Sequence, residues 1–226
     1  MKKKLVLCLL LVVVIMLCAC GKKVYFSNYI SDCKYNVLAG TEGDFSIKVN
    51  LSKKENPYFV DGVCGSVRSL IEIFLYTPDN TLNYSVFFEE NSIKLGGEMN
   101  FCSSKSRHEL SFEYCNENLS SIDFVVQYDD SSLIIKATSL IENEIMTPDT
   151  ALNTLFLKNK ELFTNMTLNN EFAGEIHIRL LAEGGKCYYY IGIINTTGKI
   201  FAYLMNAQSG DIIAQKEINY RTQLSV

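Results

Sequence analysis

Tryptophan is absent from the 226 residues, proline occurs three times and histidine twice. With only His108 and His177 available, a histidine-based catalytic scheme or metal centre has little to draw on. Other signatures are missing too: there is no Gly-x-Ser-x-Gly, phosphate loop, Cys-x-x-Cys or EF-hand loop. His108-Glu109 opens like a zinc-protease His-Glu-x-x-His, but Phe112 stands where the second ligand belongs. The motif fails, and His108 reads as a solvent-facing strand residue. Gly62-Val63-Cys64-Gly65-Ser66 sets glycines around a cysteine, yet no histidine falls into place as its base. Neither a metal nor a cofactor is expected. The chain also lacks a membrane-spanning run: Leu5 to Ala19 is about three-quarters of the roughly 20 apolar residues a helical span needs.

What is present begins with MKKK, the apolar run, and then Cys20-Gly21. A basic start, a short apolar core and small residues before a cysteine are the parts of a secretory signal peptide, residues 1–19. Leu17-Cys18-Ala19-Cys20 resembles a bacterial lipobox. The resemblance implies that Cys20 carries a diacylglyceryl group and anchors the protein on the extracytoplasmic face of the cell membrane. Two acyl chains give stable anchoring where one would be marginal. Ordinary secretion or an uncleaved anchor are the alternatives. Residues 20–32 then read as the lipidated cysteine and a tether.

Losing three lysines with the signal peptide moves the formal charge from −4 to −7. An acidic exported body argues against nucleic acid as a partner and against electrostatic adhesion to anionic lipid. Besides the anchor it holds Cys33, Cys64, Cys102, Cys115 and Cys187, an odd number that leaves at least one thiol unpaired. A hairpin turning near Lys105 would hold Cys102 and Cys115 about 20 Å apart, too far for a bridge. Thiols are expected, with one or two disulfides as the alternative.

Tyrosine and phenylalanine, thirteen each, favour strands. Phe45, Ile47, Val49 and Leu51 alternate with polar residues, as do Leu110, Phe112 and Tyr114. Gly40 to Gly43 and Lys53 to Pro57 read as turns, followed by Tyr58 to Val60 and a turn at Asp61-Gly62. Turn signals recur at the spacing of an all-β sandwich, so residues 33–144 are expected to form an immunoglobulin-like domain.

The pattern changes at Thr147-Pro148-Asp149, which reads as a helix start. Leu152, Leu155, Phe156, Leu162 and Phe163 share one helical face, with Asn159 the polar interruption. Four strands follow, near 175–182, 187–195, 200–207 and 212–218, separated by glycine turns. Residues 145–226 thus read as a small one-helix, four-stranded antiparallel α+β module, giving α+β overall. The stretch YYYIGIINTTGKIFAYLMNAQSGDIIAQKEI, with the TPDTAL helix opening before it, resembles the strand pattern of PepSY-type domains. That resemblance implies binding or restraint of a secreted or wall-associated peptidase.

Alternation places His177 and Arg179 on the sheet face opposite the helix, and Tyr188 and Tyr190 together with Gly192. These four are the candidate partner-binding residues, and Cys20 is the lipidation site. Plain surface polarity and core-and-rim packing are the alternatives for the four. The resulting expectation is a non-enzymatic binding lipoprotein with an extracytoplasmic protein partner. A small-ligand-binding envelope lipoprotein is the alternative.

Overall fold

The computed structural model describes residues 24–55, 65–117 and 119–219. Cys20, Cys64, Tyr58 to Val60 and the Asp61-Gly62 turn lie outside them.

The first nine strands are β1 (Ile30–Glu42), β2 (Phe45–Glu55), β3 (Val67–Tyr76), β4 (Tyr84–Glu90), β5 (Ile93–Glu98), β6 (Asn100–Cys102), β7 (Arg107–Glu113), β8 (Ser121–Tyr128) and β9 (Ser131–Ser139). Helices α1 (Pro148–Lys158) and α2 (Lys160–Asn165) follow, then a minimal hairpin of β10 (Thr167–Leu168) and β11 (Glu171–Phe172). The chain closes with β12 (Gly174–Glu183), β13 (Lys186–Asn195), β14 (Lys199–Asn206) and β15 (Ile212–Asn219).

All strands except the β10–β11 pair belong to one sheet. One branch runs β15-β14-β13-β12-β1-β2-β3-β7-β6, and the other leaves β1 through β9, β8, β4 and β5. Since Met99 alone separates β5 from β6, the curled sheet returns towards itself as a nearly closed barrel. Leu38, Val49, Ile73, Val86, Phe124 and Ile135 fill its core.

This corrects the expected architecture. The described residues are 61% strand and 13% helix, with one large sheet rather than an immunoglobulin-like sandwich followed by a separate α+β module. Evenly spaced alternating strands suit a sandwich and a barrel equally; which edges pair is decided in three dimensions. The element that joins everything is β1. Its first half pairs in parallel with β12, from Ile30↔Ile176 to Lys34↔Arg179, and Leu38 and Ala39 pair with β9. Strand β2 pairs with it from Asp32 to Glu42, with a bulge at Tyr35. That bulge breaks the alternation, so Asn36, Val37 and Leu38 are all buried and the stretch does not read as a strand.

A second core lies where α1 and α2 cover one face of β12, β13 and β14. It takes Cys33 from β1, and Tyr35 packs against both cores. Thr147 caps α1, its Oγ1 accepting from the Thr150 N–H at 3.2 Å. The single expected helix is two, because Asn159 leaves helical geometry at φ −131° and ψ 39°. Its Nδ2 donates to the Leu155 carbonyl at 3.2 Å, a side chain competing with the backbone ladder. The first described residues are packed as well. Phe26 stands 5.0, 4.7 and 5.4 Å from the rings of Phe156, Phe163 and Phe172, and Val24 and Tyr29 join the same core.

Candidate docking face

The pleat of β12 and β13 sends Ile176, Ile178, Leu180, Tyr189, Ile191 and Ile193 towards the helices. The opposite face carries His177 and Arg179 with Tyr188 and Tyr190, as the alternation implies. Register brings them together: Arg179 lies opposite Tyr190, His177 opposite Gly192, and Leu181 opposite Tyr188. Strand β14 extends the face with Leu204, opposite Tyr190, while Ala202 beside Gly192 is buried. A Cβ on Gly192 would stand 3.2 Å from the Tyr190 hydroxyl, so this ring lies over the glycine. Leu181 and Arg179 are exposed, and Tyr188 and Tyr190 are half-buried. Both helices pack on the other side. An aromatic and aliphatic sheet surface with one guanidinium at its margin is therefore open for contact.

Its margin is set by a polar knot where β12 meets β1. Arg179 donates twice to Asp32 Oδ2, from Nε at 2.9 Å and Nη2 at 2.6 Å. Ser31 Oγ donates to Glu175 Oε2 at 3.3 Å, and His177 Nε2 stands 3.8 Å from the same carboxylate oxygen. Burial pushes the His177 pKa below its ordinary value and Arg179 adds to that, against the opposing pull of Asp32 and Glu175. Ser31, Asp32 and Glu175 escaped the sequence reading. Glu175 is in phase with His177 and Arg179 and was within reach of it; Asp32 meets Arg179 only through the parallel pairing with β1. Ser31 and Glu175 are 1% and 3% exposed, so this part of the knot is buried in the seam between β1 and β12.

His108 is not solvent-facing. It is 2% exposed and points into the barrel, its ring 4.7 Å from Tyr84 and 5.0 Å from Phe101, and burial lowers its pKa. Glu109 turns outward to Arg107 and Lys105. Cys33, Cys102, Cys115 and Cys187 are thiols. Burial pushes Cys33 up to about 12, which keeps it protonated and unreactive. Among the described residues no group of three or more His, Cys, Asp or Glu is placed to hold a metal, and no helix is long and apolar enough to cross a membrane.

Together these features define a β-rich protein with an aromatic sheet face that no helix covers among the described residues. No protein-family model matches the chain, and neither a curated protein nor a solved structure matches it.

Proposed function

We propose that this chain is an extracytoplasmic lipoprotein, held to the membrane by a diacylglyceryl group on Cys20, that works as a non-enzymatic protein-binding module. The observation that carries the reading is the helix-free face of β12 to β14, where Tyr188, Tyr190, Leu181 and Leu204 sit beside Arg179. Tyrosine and arginine are the side chains that dominate protein interfaces, because each combines a large apolar surface with a polar tip. The PepSY-like strand pattern makes a secreted or wall-associated peptidase the partner class to test.

The alternative, a small-ligand-binding envelope lipoprotein, would use a cleft such as the one beside Tyr35. It measures about 560 Å³, lies between the two cores, and is lined by Cys33, Tyr35, Lys53, Met146 and Tyr189. The cleft opens to solvent, whereas a carrier encloses most of its ligand. The docking reading is the better supported.

Capture from membranes tests it, with the full lipidated chain in detergent beside a Tyr188→Ala/Tyr190→Ala variant of equal thermal stability. One extracytoplasmic protein recovered by the parent and lost by the variant supports the reading. Recovery by both moves the interface elsewhere; recovery by neither removes the reading.

A further inference from the structure

The first described residues and the helix-free sheet face lie on opposite sides of β12 to β14. Val24 and Phe26 belong to the helix-side core, and beside them a groove runs between Tyr25 and the α1 residues Asp149, Asn153 and Phe156. From Cys20 to Val24 there are four residue steps, which span at most about 14 Å even when fully extended. A lipid on Cys20 would therefore hold the body close to the headgroups, with no room for it to stand off on a long tether.

The surface around this point suits that position. Tyr25 is 61% exposed, Leu157 56% and Leu168 67%, among the most exposed large apolar side chains in the described residues. Leu168 adjoins Thr167, which lines the groove. Leu157 is one helical turn beyond Asn153, about 40° further round α1. Tyrosine and leucine at a water–lipid boundary bury their apolar bodies while the phenol stays wet. Asp149 lies in the same groove, so apolar contact and the short linker, rather than attraction to anionic lipid, set the orientation.

We infer that the surface formed by Tyr25, Leu157 of α1 and Leu168 of the β10–β11 hairpin rests on the outer leaflet of the membrane, and that the Tyr188/Tyr190 face consequently points away from the bilayer. The inference rests on the reading of Cys20 as lipidated. It assigns the lipid surface as the occupant of this second apolar region and leaves the first free for a protein.

Because the parent has no tryptophan, one introduced residue gives a single unambiguous signal. Tyr25→Trp, Leu168→Trp and Tyr188→Trp are each made in the full chain, purified with the membrane fraction and reconstituted. The vesicles contain equal parts phosphatidylglycerol and a phosphatidylcholine brominated in the upper acyl chain. Tyr25→Trp and Leu168→Trp are expected to lose most of their emission relative to unbrominated vesicles, and Tyr188→Trp to keep it. Leu157→Trp serves as a second reporter should either of the first two fold poorly. Equal quenching at all positions, or quenching confined to Tyr188→Trp, overturns the orientation. The intact mass of the same samples separates the two ideas. A diacylglyceryl adduct on Cys20 with the wrong quenching pattern removes only the orientation, and absence of the adduct removes the anchor and the orientation together.

Discussion

Two histidines carry most of the acid sensitivity expected near neutral pH. Burial lowers both pKa values from the ordinary 6.5, which favours the neutral imidazole in the folded protein. His108 sits between Tyr84 and Phe101, and its Nε2 has no hydrogen-bond partner among the described residues. His177 lies beside Glu175 and Arg179 of its own strand and faces Asp32 across the seam. The unfolded chain takes up protons below about pH 6.5 that the folded state refuses, so stability is held above that value and declines as pH falls below it. Urea denaturation at pH 7.5 and 5.5 is expected to show this loss. His108→Phe keeps a ring in the same slot and removes the titration. It should lie within about 1 kcal/mol of the parent at pH 7.5 and lose less on acidification. An unchanged pH dependence in His108→Phe would mean that His108 does not contribute to it.

Strand β1 shows how an element can be misread from its residues. Gly40 to Gly43 has the composition of a turn, yet Gly40 lies inside β1, and the turn proper is at Gly43, with φ +57°. The reason for glycine at 40 is close approach: a Cβ there would stand 2.2 Å from the Lys136 carbonyl oxygen of β9. This is the junction where the barrel branch leaves β1. Gly40→Ala is expected to cost about 3 kcal/mol, since backbone has to move. At Gly43 the added Cβ meets nothing within 4 Å, so Gly43→Ala costs only the left-handed strain, about 1 kcal/mol. Thermal melts of the two variants check the ranking; equal losses would contradict the close-approach account.

At the scale of the molecule, the two cores share β1, and Tyr35 packs against both. Burial pushes the Tyr35 hydroxyl up to about 12, with Glu117 adding to the shift. A shared strand makes unfolding one event rather than two. Leu38→Ala removes a fully buried side chain from the barrel core and should cost about 2 to 5 kcal/mol. Hydrogen exchange in α1, which belongs to the other core, is expected to speed up by the same free energy. If α1 amides are unaffected while the barrel loosens, the cores are independent and the coupling through β1 is wrong.

Much of the strand and helix content was legible in the residues, because alternation and helical periodicity are local properties. The last four strands lie within one or two residues of their expected positions, and Thr147-Pro148-Asp149 opens α1 as its chemistry implies. The same alternation put His177 with Arg179 and Tyr188 with Tyr190, and the register of β12 with β13 joins the two pairs on one face. Pairing between distant segments was not legible. The parallel contact of β1 with β12, the Asp32–Arg179 pair that follows from it, and the inward turn of His108 all depend on where a strand's edges find partners. Hydrogen-bonding edges are alike in every strand, so local sequence determined which residues share a face, and only tertiary packing decided which strands meet.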